Sequence, residues 1–123
     1  MITGFICSTF DLLHPGHINA LKDCKRRCDY LIVGLHVKGR KKILVETLFE
    51  RWVRLNGCKY VDQIIPYETE EDLENILKTA GIDVRFLGED YLTRKDITGK
   101  DIVPIVYIPR NHTWSSTGLR NRL

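Results

Sequence analysis

Two periodicities alternate along the chain, and they predict alternating strands and helices. Short apolar runs are typical of buried β-strands, and five such runs occur. They cover residues 2–7, 30–37, 60–65, 82–87 and 102–108. Pro66 directly follows the third run, and we expect it to end that strand because proline cannot donate to a sheet ladder.

Helical spacing and capping signals fill the gaps between these runs. A first helix is predicted to begin near Pro15, since proline suits a first helical turn. Its apolar face consists of His17, Ala20, Leu21, Cys24 and Cys28. Thr47 and Glu50 form a capping-box pattern for a second helix that runs to about Asn56. Thr69 precedes a third helix whose acidic first turn suits the positive end of the helix dipole.

Strands that alternate with helices predict an α/β fold with a parallel sheet covered on both faces. Right-handed crossovers then predict a doubly wound, five-stranded sheet of order 3-2-1-4-5. The length of 123 residues fits one domain, residues 1–123. Ligands bind such sheets outside the carboxyl ends of the strands, at the switch point. That point brings together the loops at residues 8–17, 88–92 and 109–116.

The first of these loops carries the strongest chemical signal. His14 and His17 flank Pro15-Gly16 where the first strand passes into the first helix. A helix N-terminus offers unpaired N–H groups and partial positive charge to an anion. Glycine also lets a ligand approach the backbone closely. We therefore predict that both imidazoles donate to charge that develops on a phosphoryl group and its leaving group.

Residues 9–17, Thr-Phe-Asp-Leu-Leu-His-Pro-Gly-His, resemble the HxGH signature region of the cytidylyltransferase-like nucleotidyltransferases. Further similar segments at residues 29–31, 60–62 and 109–110 extend the resemblance over nearly the whole chain. It implies a Rossmann-like fold and transfer of CMP from CTP to a small phosphorylated alcohol. Glycerol 3-phosphate is the first acceptor to expect, which gives CDP-glycerol and pyrophosphate. The resemblance also implies Mg²⁺, bound through the triphosphate, and a homodimer.

Residues 110–117 are similar to a second signature of that family, Arg-Thr-x-Gly-Ile-Ser-Thr-Thr. Four positions match it in place and spacing: Arg110, Ser115, Ser116 and Thr117. Thr113 and Trp114 replace its Gly and Ile. An arginine beside a Ser/Thr-rich helix start can hold a triphosphate. Taken without the resemblance, Ser115 or Ser116 could equally be the cap of a short last helix.

Basic side chains supply the remaining candidates. Residues 40–42 form a basic loop, which is either a solvated loop or a cover whose lysines neutralise the phosphates. The family carries lysines in this loop, and we transfer only Lys42. Arg51 and Lys59 stand where the family has arginines, and we expect them to bind the acceptor. For Arg51 a solvent-facing position is the alternative.

Two polar positions near the strand ends complete the predicted pocket. Residues 88–91, Gly-Glu-Asp-Tyr, resemble the family's Gly-Asp-Asp-Trp, which lies near the base. An acid such as Asp90 could accept from the exocyclic amine of cytosine or of adenine, so CTP and ATP stay open. Ser8 replaces a family glycine. Asp11 suggests a metal ligand or base, although we favour a turn residue that holds the loop.

These expectations form three groups of residues, with no side-chain metal site among them. The catalytic group is His14, His17 and Arg110. The nucleotide-binding group is Ser8, Thr9, Phe10, Gly16, Lys42, Gly88, Asp90, Ser115, Ser116 and Thr117. The acceptor-binding group is Arg51 and Lys59.

Composition adds limits on function. The formal charge of +3 is too small to predict a nucleic-acid or membrane surface, but it suits a site for small polyanions. No apolar run reaches the roughly 20 residues that span a bilayer. The four cysteines show no disulfide framework, and no charged leader precedes the first strand, so we expect a cytoplasmic protein. Two alternatives remain: an adenylyltransferase that uses ATP, and a catalytically idle nucleotide-binding module.

Overall fold

Strands and helices alternate along the chain as the hydrophobic pattern predicts. The structure, a computed structural model, describes residues 1–39 and 43–109. The elements are β1 (Thr3–Ser8), α1 (Pro15–Arg26), β2 (Tyr30–His36), α2 (Leu48–Asn56), β3 (Gln63–Tyr67), α3 (Glu70–Thr79), β4 (Val84–Gly88), a 3₁₀ turn (Glu89–Tyr91) and β5 (Ile105–Ile108).

The strands form one parallel sheet of order β3-β2-β1-β4-β5, which confirms the predicted α/β topology. β1 lies at the centre and pairs with β2 over its full length, from Thr3 opposite Tyr30 to Ser8 opposite Leu35. Its other neighbour is β4, through Gly4 opposite Val84. The strand order reverses between β1 and β4, so their carboxyl ends mark the crevice where such sheets bind ligands.

Each face of the sheet has its own hydrophobic core. Leu21 of α1 and Leu55 of α2 are fully buried on one face. Leu73 and Leu77 of α3 pack with Phe5 on the other. Helices on both faces explain why the strands read as nearly continuous apolar runs.

Local capping chemistry sets the helix starts where the sequence predicts them. The hydroxyl of Thr47 accepts from the N–H of Glu50 at 3.1 Å, and the Glu50 carboxylate accepts from the N–H of Thr47 at 2.9 Å. Thr69 and Asp72 repeat this reciprocal pattern at the start of α3. Hydrogen bonds from the backbone and hydroxyl of Thr47 lower the pKa of Glu50, so the acid is charged where the helix dipole favours it.

The third strand differs from its prediction at both ends. It begins at Gln63 and continues through Pro66, which stands opposite Leu35. β3 is an edge strand, and an edge tolerates a proline that an inner strand would not. The strand begins late because Asp62 turns its carboxylate towards the start of β2, where it accepts from the N–H of Leu31 at 2.8 Å.

Two further expectations meet the structure only in part. α1 ends at Arg26, so Cys28 lies beyond the helix, although it still packs against the core. The predicted last helix near Ser115 or Ser116 lies outside the described residues. In the described part of the chain, no helix is long and apolar enough to cross a membrane.

Candidate active site

A cavity of about 1040 Å³ opens at the carboxyl ends of the strands. That volume is at the upper end of the range typical of small-molecule sites, and it can hold two substrates side by side. Eight of the predicted site residues border it: Ser8, Thr9, Phe10, His14, Gly16, His17, Gly88 and Asp90. The fold therefore brings together the loops after β1 and β4 that the sequence placed at the switch point.

His14 and His17 form a reciprocal cap at the start of α1. His14 is the N-cap residue, and its Nδ1 accepts from the N–H groups of Gly16 at 3.1 Å and of His17 at 3.4 Å. Nδ1 of His17 accepts in return from the N–H of His14 at 3.2 Å. The rings stack with centroids 3.8 Å apart and planes 22° apart. The motif is thus a capping box in which both side chains are imidazoles.

This cap determines which nitrogen of each ring carries the proton. A ring nitrogen that accepts a hydrogen bond holds no proton, so each neutral imidazole has its proton on Nε2. Both neutral rings therefore carry their N–H donor at Nε2, and both histidines border the cavity beside the helix N-terminus. Two donors on one helix start are the arrangement that stabilises growing negative charge on phosphate oxygens.

The loop that leads into this cap is conformationally strained. Phe10 has φ of 48° and Leu12 has φ of 51°, which places two non-glycine residues in the left-handed region. Such backbone costs on the order of 1–3 kcal/mol per residue and persists only where surrounding contacts hold it. The ring of Phe10 is buried and meets His17 edge-on at 5.4 Å, so the strained turn also supports the histidine pair.

Two buried carboxylates hold the strained loop against the segment before α2. Asp11 accepts from the N–H groups of Val45 at 3.0 Å and Glu46 at 2.9 Å. Glu46 accepts in return from the N–H of Leu12 at 2.8 Å and pairs with Arg54 at 2.6 Å. These contacts support the interpretation of Asp11 as a loop-holding residue rather than a metal ligand or base.

Arg51 lies on α2 as predicted, but its side chain points into the protein. It is 2% exposed, and its terminal nitrogens donate to three carbonyl oxygens, those of Thr9 at 3.0 Å, His36 at 2.7 Å and Val37 at 2.6 Å. The carbonyls of His36 and Val37 lie at the carboxyl end of β2, and that of Thr9 directly follows β1. Arg51 therefore joins the carboxyl ends of two strands, and it does not border the cavity.

Lys59 is also away from the cavity. It precedes β3, so it lies at the amino edge of the parallel sheet, opposite the carboxyl ends that carry the site. Its ammonium group lies 5.3 Å from the ring centroid of Tyr60. The two residues predicted to bind the acceptor are thus not brought to the cavity within one chain. Five further predicted residues lie outside the described ranges: Lys42, Arg110, Ser115, Ser116 and Thr117.

Comparison with known proteins shows the family to which the chain belongs. The sequence model of the Cytidylyltransferase-like family matches residues 5–122. The chain belongs to the cytidylyltransferase-like family. It is 32% identical over 119 residues to the glycerol-3-phosphate cytidylyltransferase of Bacillus subtilis (strain 168), with 94% of this chain and 92% of that protein covered. It is 30% identical to the enzyme of that name from Staphylococcus aureus (strain NCTC 8325 / PS 47), with 94% and 89% covered.

A solved structure supports the fold of this cytidylyltransferase-like chain. The lipopolysaccharide core biosynthesis protein of Thermoplasma volcanium GSS1 superposes with a TM-score of 0.69 at 26% identity. The alignment covers 94% of this chain and 99% of that one. The family model and the two cytidylyltransferase relatives make the chain a nucleotidyltransferase.

In this cytidylyltransferase-like chain, several cavity residues were not anticipated from the sequence. They are His36, Tyr67, Glu70, Arg85, Arg94 and Thr98. Arg85 is the most unusual because it lies within a buried strand, between Val84 and Phe86. The sequence did contain a signal for Arg85, because an ionisable residue interrupts the apolar run that leads into the predicted loop at Gly88. Glu46, which holds the loop after β1 without bordering the cavity, was also missed, because the local sequence gives no sign of its contact with Leu12, 34 residues away.

Proposed function

We propose that this protein transfers CMP from CTP to glycerol 3-phosphate, with CDP-glycerol and pyrophosphate as products. A phosphate oxygen of the acceptor attacks the α-phosphorus of CTP. The bond from that phosphorus to the oxygen bridging to the β-phosphate breaks, and pyrophosphate leaves with the electron pair. The attacking group is already an anion, so the reaction needs positioning and charge neutralisation more than a protein nucleophile or base.

The paired histidine cap carries this proposal. Both Nδ1 atoms accept backbone N–H groups, so each neutral ring carries its proton on Nε2, and both histidines border the cavity next to the N-terminus of α1. In the proposed reaction these donors bind the α- and β-phosphate region and stabilise the charge that grows on the leaving pyrophosphate. The hydroxyls of Ser8 and Thr9, at the end of β1, lie on the same cavity and suit phosphate or ribose oxygens.

Mg²⁺ is proposed to enter with the triphosphate. Within residues 1–39 and 43–109 no group of three or more His, Cys, Asp or Glu side chains is arranged to hold a metal ion. The carboxylate of Asp11 already accepts two backbone N–H groups. A magnesium ion held mainly by phosphate oxygens and water fits these surroundings, and it would neutralise charge on the phosphates.

A homodimer is proposed as the assembled form. α2 turns Arg51 inward and leaves apolar side chains outside: Phe49 is 72% exposed, Trp52 38% and Val53 48%. Ile43 and Val45, just before the helix, are also exposed. A cluster of exposed aromatic and aliphatic side chains is typical of a protein–protein interface.

The decisive assay measures pyrophosphate release with CTP and with ATP, each with glycerol 3-phosphate as acceptor. We expect release with CTP, and CDP-glycerol as the second product. Release with ATP alone would support the adenylyltransferase alternative instead. No release with either nucleotide across a panel of phosphorylated alcohols would refute the proposed function.

Two matched variants test the role of the histidines without removing the cap. His14→Asn keeps an N-cap acceptor, and His17→Gln keeps the capping box, but neither has an imidazole Nε2–H. We expect each to lower kcat by about 10²–10³ while the melting temperature stays near that of the wild type. A loss of tenfold or less in both folded variants would contradict a role in stabilising the transition state.

A further inference from the structure

Arg85 is a buried cation at the floor of the cavity, on the sheet face covered by α3. Its side chain is 4% exposed and borders the cavity together with Cys7 and Tyr67. One terminal nitrogen donates to the carbonyl of Thr98 at 2.5 Å. The other makes only a long contact of 4.0 Å with the sulfur of Cys7.

Within the described part of the chain, the guanidinium of Arg85 uses only some of its N–H donors. In the described part of the chain, no ion pair of Arg85 with a carboxylate is present, and its buried Nε has no hydrogen-bond partner. A guanidinium has five N–H donors, and burial of a charge is costly unless an opposite charge or several acceptors compensate it. A carbonyl and a thiol are weak compensation, so an anionic ligand would complete this position.

The neighbours of Arg85 suit a polar ligand rather than a second cation. Burial, and next the nearby Cys7, raises the pKa of Tyr67, so its hydroxyl stays protonated at neutral pH and can donate. The ring of Tyr67 stacks on that of His36 at 4.8 Å, which fixes its position. Cys7 immediately precedes Ser8 at the end of β1, so the cluster lies directly below the loop proposed to hold the phosphates.

The proposed reaction also needs a cation close to the acceptor, and the other described arginines that border the cavity, such as Arg94 with 45% of its side chain exposed, are screened by solvent. The acceptor is an anion that must approach a triphosphate, and it needs neutralisation at short range. Arg51 is held by three carbonyls, and Lys59 lies at the opposite edge of the sheet. Among the described cavity residues, Arg85 is a buried cation at this end of β1.

We propose that Arg85 binds an anionic oxygen group of the acceptor and thereby selects the acceptor. This inference rests on the proposed function, because it assigns the acceptor end of the same cavity. The bound group is the phosphate of the acceptor or a carboxylate that the acceptor carries in addition. A planar guanidinium fits either group through paired N–H donors.

The test compares Arg85→Gln and Arg85→Lys with Lys78→Gln, which removes the same charge from the last turn of α3. Arg85→Gln is expected to raise the KM for glycerol 3-phosphate about 10- to 100-fold, as for a lost charged hydrogen bond, with little change in the KM for CTP. Arg85→Lys should recover part of this loss, and Lys78→Gln should leave both constants unchanged. A folded Arg85→Gln protein with unaltered KM values for both glycerol 3-phosphate and the carboxylate-bearing acceptor 3-phosphoglycerate would overturn the proposal.

A second acceptor distinguishes the two sources of the anionic group. The same constants are measured with 3-phosphoglycerate, which adds a carboxylate. A similar loss for both acceptors assigns the phosphate to Arg85, whereas a loss for 3-phosphoglycerate alone assigns the carboxylate.

A binding measurement separates failure of this inference from failure of the proposed function. Millimolar glycerol 3-phosphate without nucleotide should raise the melting temperature of the wild type and of Lys78→Gln, but not that of Arg85→Gln. This result would support Arg85 even if the wild type released no pyrophosphate. An equal rise in all three proteins, both with glycerol 3-phosphate and with 3-phosphoglycerate, would overturn the inference even if the wild type were fully active. If the Gln variant does not fold, the comparison is made with Arg85→Lys, which should show a reduced rise.

Discussion

Replacement of Arg51 by methionine is expected to destabilise the whole domain rather than to weaken one substrate. Methionine has a similar length and fills much of the same volume, but it donates no hydrogen bond. The carbonyl oxygens of Thr9, His36 and Val37 would each lose a donor now 2.6–3.0 Å away. A buried polar group left without a partner costs about 1–3 kcal/mol.

The three losses do not add in full, because water can reach part of the loop. Arg51→Met is therefore expected to lower the free energy of unfolding by about 3–5 kcal/mol in total. This is a large share of the roughly 5–15 kcal/mol that keeps a small domain folded. It corresponds to a fall in melting temperature on the order of 10 °C or more. Arg51→Lys keeps the charge and one or two of the carbonyl contacts, so its free energy of unfolding should lie between those of the wild type and Arg51→Met.

Thermal and urea unfolding measure this effect, and kinetics show whether it is local. Since Arg51 fixes the carbonyls at the ends of β1 and β2, surviving Arg51→Met protein should have poorer constants for both substrates. Lys59→Gln is the matched control, because it changes a surface residue at the amino edge of the sheet. It should alter the free energy of unfolding by no more than about 0.5 kcal/mol. An Arg51→Met protein that unfolds like the wild type, with only the acceptor KM raised, would refute this reasoning and support direct acceptor binding.

Two further predictions concern acid stability and assembly. Partial burial acts to raise the pKa of Asp62, but hydrogen bonds from the side chain of Lys25 and the N–H of Leu31 outweigh it, so the pKa in the folded protein is lowered. The charged Asp62 therefore stabilises the folded state above about pH 3.9, the ordinary value of an aspartate. This contribution to the free energy of unfolding is lost as the pH falls through the lowered pKa of the folded protein. Urea unfolding at pH 7 and pH 3 should show a smaller difference for Asp62→Asn than for the wild type, and an equal difference would contradict this account. For assembly, Phe49→Glu with Trp52→Glu should yield a folded monomer in sedimentation measurements if the exposed face of α2 is the dimer interface, and a dimer that persists would exclude that face.

The fold was predictable because its determinants are local or periodic. Capping boxes at Thr47 and Thr69 place two helix starts within a few residues of sequence, and apolar runs mark the strands. The strand order followed from handedness rules once the alternation was recognised. β3 was misplaced at both ends because its bounds depend on the sheet edge and on a contact from Asp62 to Leu31, 31 residues away. Propensity in a short window carries no information about such contacts.

The site was predictable where a motif is contiguous and not where contacts are distant. His14 and His17 could be found from the sequence, whereas the use of their Nδ1 atoms as mutual caps needed coordinates. Arg51 gave one usable signal: it lies three residues after Leu48 and four before Leu55, on the buried stripe of α2. Its three acceptors could not be foreseen, because Thr9 is 42 residues away.

The two buried arginines show how the same side chain can serve the fold or the ligand. Arg51 and Arg85 are 2% and 4% exposed, and in the described chain the Nε of each has no hydrogen-bond partner. Arg51 has three carbonyl acceptors, however, whereas Arg85 has one carbonyl and a distant sulfur. The first guanidinium is satisfied by the backbone, so its loss should appear in stability. The second retains unused donors beside the cavity, so its loss should appear in the binding of an anion.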